Sequence, residues 1–159
     1  MFNPDKFKWR VFDPKENIPE HVSRWLLDSQ SLTHKLKDKY NDFRVNVLSQ
    51  EQNSPYECEL KLLGSTTNLK IIVREVELMG SERAVVNARS LIPITNDTKD
   101  ILKIGSSPLG EILFNDPEIK RGHLEVKIST DLQRNFRLAI ASLSRGFLLL
   151  IFKRQCRPI

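Results

Sequence analysis

Arg74 is the residue whose surroundings ask most of chemistry. In Ile72-Val73-Arg74-Glu75-Val76-Glu77-Leu78, strand alternation puts Ile72, Arg74, Val76 and Leu78 on one face and Val73, Glu75 and Glu77 on the other. Arg74 falls on the more apolar face, the one expected to turn inward. A buried guanidinium needs compensation, because an unpaired interior charge is costly. An internal ion pair or a guanidinium reaching past the sheet edge would satisfy it. So would a carboxylate ligand, whose two oxygens match the planar fork of an arginine.

Two helix starts offer a second kind of anion contact. Ser31 is placed to cap a helix whose first residue is Leu32, and Leu109 follows Pro108 in the first turn of another. Backbone N–H groups at such starts are free and the helix dipole is positive there, so an anion is favoured. Core packing accounts equally well for the two leucine side chains. His21, His34 and His123 show no metal-ligand spacing, and Cys58 and Cys156 match none either. Ser90, Ser106 and Ser107 lack a neighbouring base and a strained nucleophile turn, which argues against a hydrolase. No glycine-rich loop is present to cradle a phosphate. No metal site is expected from these spacings.

The elements that must position these residues follow from periodicity. Pro4, Pro14 and Pro19 punctuate an N-terminal arm, residues 1–18, whose Phe2, Phe7, Trp9 and Phe12 suit packing on the body. Val22, Trp25 and Leu26 predict a helix from Pro19, and the Ser31 cap predicts a second. Phe43, Val45 and Val47 alternate as in a strand, and Tyr56, Cys58, Leu60 and Leu62 suggest another. Leu69–Leu78 and about Arg83–Pro93 read as a hairpin around Met79-Gly80-Ser81-Glu82. Short helices are expected at Asp97–Ile104 and from Ser107 to Phe114. Ile119–Ile128, Phe136–Leu143 and Phe147–Lys153 read as three more strands. Helices first and hairpin-linked strands later predict an α+β fold, a single domain spanning 1–159 with helices on a largely antiparallel sheet.

Length and charge narrow the function classes. A chain of 159 residues makes one domain with one real core. Its longest apolar run, Phe147–Phe152, falls far short of the roughly 20 residues a membrane span needs. With no apolar leader at the N-terminus, a cytoplasmic location with reduced thiols is expected. The net charge is +5, and no acid follows Asp131, while Arg134, Arg137, Arg145, Lys153, Arg154 and Arg157 are basic. Those charges lie scattered among leucines, isoleucines and phenylalanines, without the aromatic interleaving of a nucleic-acid surface. No nucleic-acid partner is expected, and a monomer is.

Five blocks, in order and from about residue 20 to residue 128, carry a family resemblance. They are Trp25-Leu26-Leu27-Asp28 with Ser31-Leu32-Thr33; Val73-Arg74-Glu75-Val76; Ala88-Arg89-Ser90; Pro108-Leu109-Gly110-Glu111-Ile112-Leu113-Phe114; and Arg121-Gly122-His123-Leu124-Glu125-Val126. On these the chain resembles the bacterial chorismate pyruvate-lyases of ubiquinone biosynthesis. The resemblance implies a chorismate-lyase-like α+β domain and a cofactor-free lyase converting chorismate to 4-hydroxybenzoate and pyruvate, the first committed step of that pathway. It implies that Arg74 and the N–H groups of Leu32 and Leu109 hold the ring carboxylate under flaps, with Arg74 the catalytic residue. Arg89 could meet the pyruvyl carboxylate, or serve a structural ion pair instead.

Residues 132–159 depart from the family. Its final strand carries a glutamate that meets the oxygen at the far end of the ring. Aligning Leu148-Leu149-Leu150 puts Phe152 there, on one strand face with Leu148 and Leu150. The family's arginine-rich stretch before that strand is thinned to Arg137. The implied alternatives to a lyase are a non-catalytic or weakly active binder of aryl carboxylates and an interaction domain with a filled pocket.

Overall fold

The computed structural model describes residues 5, 13, 15, 20, 24–25, 31–63, 70–117, 119, 124–131, 135–144 and 147–154; from residue 124 onward the description is of the backbone. Among the described residues, the helices α1 (Leu32–Lys39), α2 (Glu57–Leu63) and α3 (Leu109–Asn115) accompany six strands. The strands are β1 (Arg44–Gln52), β2 (Ile71–Gly80), β3 (Arg83–Pro93), β4 (Leu124–Asp131), β5 (Asn135–Ser144) and β6 (Phe147–Arg154). They form one sheet in the order β1-β2-β3-β6-β5-β4, every neighbouring pair antiparallel. Two three-stranded meanders thus meet where β6 pairs with β3. This is the α+β architecture expected from the pattern.

The β2–β3 ladder fixes which residues share a face. Ile72, Arg74, Val76 and Leu78 stand opposite Ile92, Ser90, Ala88 and Val86, while Val73, Glu75 and Glu77 stand opposite Leu91, Arg89 and Asn87. Each pair of partners shares a face, and adjacent pairs alternate. On the Arg74 face, Leu36 of α1 packs with Val76, Leu78, Val86 and Ala88, joined by Val45 and Val47 of β1. Further along the strands, Leu109 of α3 and Ile101 pack with Ile92. Arg74 and Ser90 occupy the row between these two apolar clusters. On the other face lie Val73 and Leu91, both fully buried.

The β2–β3 hairpin closes through Ser81 and Glu82, at φ 51° and 59°. Non-glycine residues are strained there, although such a two-residue turn matches the twist of the strands. Asp42 offsets the strain by accepting hydrogen bonds from the N–H groups of Ser81 (2.9 Å) and Glu82 (3.0 Å). Those donors, Ser81 first, hold the Asp42 carboxyl below its ordinary range. The contribution is present at neutral pH and is lost as acid titrates the carboxylate through that lowered value.

One expected element changes type. Tyr56, Cys58, Leu60 and Leu62 alternate as in a strand, yet Glu57–Leu63 is the helix α2. Its start is capped from far away: the Asp5 carboxylate accepts from the N–H groups of Glu57 (3.2 Å) and Cys58 (2.8 Å). The buried positions are Glu59 and Leu63, one helical turn apart, whereas Leu60 is exposed. Asp97–Ile104 resolves into two 3-10 turns, Asn96–Thr98 and Ile101–Lys103. Of the helix expected from Pro19, Glu20, Arg24 and Trp25 are helical. Val22, Leu26, the aromatic residues of the arm, His21, His123 and Cys156 lie outside the described residues.

Gly80, at the end of β2, lies under the ring of Tyr40. A Cβ there would come within 2.5 to 2.9 Å of three ring atoms. Gly80→Ala should cost about 1–3 kcal/mol, the usual range for overpacking a filled site. Urea denaturation would read this as a lower midpoint at unchanged slope.

Candidate functional site

Arg74 is 2% exposed and lies among apolar side chains. Its Nη1 donates to the Oε1 of Gln50, and its Nη2 donates to the carbonyl oxygen of Ser107 at 3.1 Å. Both acceptors are neutral. Among the described residues no carboxylate pairs with it, and burial alone pushes its pKa below the ordinary value. An arginine so placed stays protonated, with five N–H donors of which two are engaged. Arg74 is therefore a desolvated positive charge with free donors and no counter-ion among the described residues. Of the alternatives open at Arg74, the internal ion pair is absent among the described residues.

Gln50 reaches Arg74 because β1 is bulged. The ladder runs Val45–Leu78 and Val47–Val76, then slips so that Ser49 meets Glu75 and Gln50 meets Arg74. Leu48 is the extra residue and is 56% exposed. Without the slip, the side-chain alternation would aim Gln50 at the opposite face. The Gln50 amide also donates to the carbonyl of Leu102 at 2.7 Å, so its oxygen is fixed toward Arg74. Nothing in the local sequence around Gln50 signals this role.

Both helix starts come to the same end of the sheet. Ser31 caps α1 as expected, its Oγ accepting from the N–H of His34 at 3.4 Å. Pro108 precedes α3, and Leu109 is its first residue. The Ser107 carbonyl that receives Arg74 lies immediately before that start. The starts touch each other at Gly110, where a Cβ would lie 3.0 Å from Thr33 Oγ1 and 3.9 Å from Ser31 Oγ. Lys37 and Glu111 bridge the two helices at 2.5 Å. Arg74, the α3 start and the α1 start are thus consecutive neighbours.

Arg89 is not brought to that place. It stands opposite Glu75, on the face away from Arg74. Its Nε and Nη2 donate to both carboxylate oxygens of Glu59 (2.7 and 3.2 Å), and its Nη1 to Glu75 (2.9 Å). The guanidinium also lies 4.7 Å from the Tyr56 ring centre. Burial works against its charge, and the hydrogen bonds and charges of Glu59 and Glu75 outweigh burial, so its pKa is raised. Of the two roles open to Arg89, the structure realises the ion pair. Glu59 escaped the sequence reading because its segment has the alternation of a strand.

Phe152 lies on β6 opposite Asn87 of β3 and Ala139 of β5. Asn87 belongs to the row set of Glu75 and Arg89. The β6 positions in register with Ser90 and Ala88 are Leu149 and Ile151. Leu148, Leu150 and Phe152 share one set of rows as expected, but the ladder does not bring that set to Arg74. An offset of one residue in strand pairing exchanges the two faces, and sequence alternation cannot fix that offset.

The candidate site is thus a desolvated arginine with neutral partners among the described residues, set on an antiparallel sheet beside two abutting helix starts in an α+β domain. The chain belongs to the chorismate lyase family, whose model matches residues 3–147. A probable chorismate pyruvate-lyase of Pseudoalteromonas atlantica is 40% identical over 110 residues, 66% of this chain and 57% of that protein. One from Shewanella sp. (strain W3-18-1) is 36% identical over 126 residues, covering 77% of this chain and 65% of that protein. Another, from Thiobacillus denitrificans, is 35% identical over 106 residues, or 65% and 57% of the two chains. The chain spans about three fifths of the length of these relatives. Most of β6 lies beyond the matched residues. No helix among the described residues is long and apolar enough to cross a membrane.

The ion pairs of Arg89 make a specific demand on stability. Glu59 is 0% and Arg89 6% exposed, so removing Arg89 strands the Glu59 charge in the interior, whereas removing Glu59 still leaves Arg89 its bridge to Glu75. Arg89→Ala should cost about 3–5 kcal/mol, seen as a fall in denaturation midpoint.

Proposed function

We propose that this chain binds chorismate and 4-hydroxybenzoate through Arg74 and acts as a chorismate pyruvate-lyase of ubiquinone biosynthesis. The observation that carries the reading is the buried Arg74 charge with no acid partner among the described residues, in a chain of the chorismate lyase family. A ring carboxylate would take the open N–H donors of Arg74 and the free N–H groups of Leu32 and Leu109. Its charge would replace the water that Arg74 has lost, and the flanking rows of Val76–Ala88 and Ile72–Ile92 would receive the ring.

The reaction asks little acid–base chemistry of the protein. The bond between ring carbon and enolpyruvyl oxygen breaks, the ring carbon bearing the hydroxyl loses its hydrogen as a proton, and enolpyruvate gains a proton to become pyruvate. Aromatisation supplies the driving force. The protein's part is to hold the reacting conformer and to stabilise charge that develops on the leaving group. No metal or organic cofactor enters, the fully paired Arg89 takes no part, and the protein acts as a cytoplasmic monomer.

A second reading is favoured by one observation: no acidic residue follows Asp131, so the last strand offers no carboxylate to the ring oxygen. A chain that retains the Arg74 seat and lacks that group would bind aryl carboxylates and turn chorismate over weakly. The missing contribution is typically worth about 10²–10⁴-fold in rate.

Calorimetry tests the seat. Arg74→Ala should weaken 4-hydroxybenzoate binding by about a hundredfold, the cost of losing a charged hydrogen-bond partner. Arg74→Lys should keep part of the affinity, because an ammonium supplies charge without the fork. Unchanged affinity in Arg74→Ala would remove the seat from the site.

A coupled assay of pyruvate release tests the last strand. The native chain should be slow, and one glutamate returned to β6 should raise the rate at least about tenfold. The resemblance implies position 152 for that glutamate, and the ladder pairs Ile151 with Ala88, on the strand face of Arg74. A gain in Phe152→Glu supports the first, and a gain in Ile151→Glu the second. Brisk turnover by the native chain, lowered by both variants, would sink the proposed deficiency.

A further inference from the structure

Ser90 carries a buried group that the fold itself does not use. The residue is 4% exposed and stands directly opposite Arg74 in the β2–β3 ladder. Directly opposed residues share a face, with Cβ atoms about 4.5–5.5 Å apart. One row of the sheet therefore reads Gln50, Arg74, Ser90 across β1, β2 and β3. Among the described residues the Ser90 hydroxyl has no hydrogen-bond partner, whereas Gln50 is engaged at both ends of its amide. Buried polar groups are nearly always hydrogen-bonded, so an orphan of this kind calls for a partner from outside the chain.

The charge beside it says what that partner is. The neighbouring group is the guanidinium with unused donors, so a ligand that fills the space carries negative charge. A carboxylate accepts about four hydrogen bonds, more than the Arg74 fork alone supplies. A hydroxyl across the ladder from Arg74 is placed to donate one more. We propose that Ser90 is a ligand-binding residue of the Arg74 seat, its hydroxyl donating to the carboxylate of the bound aryl acid. This inference rests on the proposed aryl-carboxylate site and adds a side chain that neither helix start provides.

The assignment predicts opposite signs for stability and for binding. A residue retained for packing or structure loses stability when truncated. A ligand donor left unpaired in the free protein does not, because Ser90→Ala removes a buried polar group without a partner. The native chain, Ser90→Ala, Ser90→Thr and Arg74→Ala are compared, with benzoate and 4-hydroxybenzoate as probes in calorimetry and with thermal melts of the free proteins. Ser90→Ala should bind both acids about tenfold or more weakly, the worth of a hydrogen bond to a charged group. Its free form should melt no lower than the native chain. Ser90→Thr, which keeps a hydroxyl, should restore most of the affinity.

If Arg74→Ala loses binding while Ser90→Ala binds both acids as the native chain does, the role of Ser90 is overturned and the seat stands. If Ser90→Ala melts lower and Ser90→Thr binds no better than Ser90→Ala, the residue is structural and the proposal fails. If the native chain binds neither acid, or Arg74→Ala binds as well as native, the seat itself falls and the assignment of Ser90 falls with it.

Discussion

A guanidinium taken out of water, with no carboxylate beside it among the described residues, is the constraint around which this structure is arranged. Arg74 is 2% exposed, and its two fixed contacts are the side-chain amide of Gln50 and the carbonyl of Ser107. Neutral dipoles orient the group without cancelling its charge. An acid at either place would have neutralised the charge, as Glu59 and Glu75 do for Arg89. The bulge in β1, the 3-10 segment that receives Gln50 and the start of α3 all serve to hold the fork in this state.

The back of the same sheet shows the opposite solution. Arg89 is as deeply buried, but Glu59 and Glu75 meet it with three hydrogen bonds. Two arginines on adjacent strands thus differ in role through the parity of the strand. One row leads to Gln50 and the helix starts, the next to α2 and its acid. The paired arginine ties α2 to the sheet, and Asp5 ties the N-terminal arm to α2. The unpaired one faces the two helix starts, where Gly110 lets α1 and α3 approach to van der Waals contact.

Membership in the chorismate lyase family and a buried arginine with neutral partners among the described residues are the two findings on which the proposed carboxylate seat rests. The last strand is another matter, because after Asp131 the chain carries basic, apolar and uncharged polar residues and no acid. In the proposed site, carboxylate recognition and the contact at the ring oxygen would come from separate strands, β2 with β3 for the first and β6 for the second. A sequence can therefore change one while the other keeps its form.

Much of the frame was already determined by the sequence. Strand alternation put Arg74 on the inward face, the Ser31 and Pro108 signals placed both helix starts, and Arg83–Pro93 proved to be the second strand of the hairpin. These features are local, set by residues within a turn or a strand of one another. Tertiary structure decided the rest, through contacts that local patterns do not encode. Gln50 lies 24 residues from Arg74, Ser107 lies 33, and Glu59 lies 30 from Arg89. A one-residue bulge sends Gln50 to the site face, and a cap from Asp5 accompanies a helix where the pattern suggested a strand. The pairing of β6 with β3 sets the row of Phe152. Alternation has a period of two, so it defines faces only relative to one strand, and only the assembled sheet decides which face of each strand meets the site.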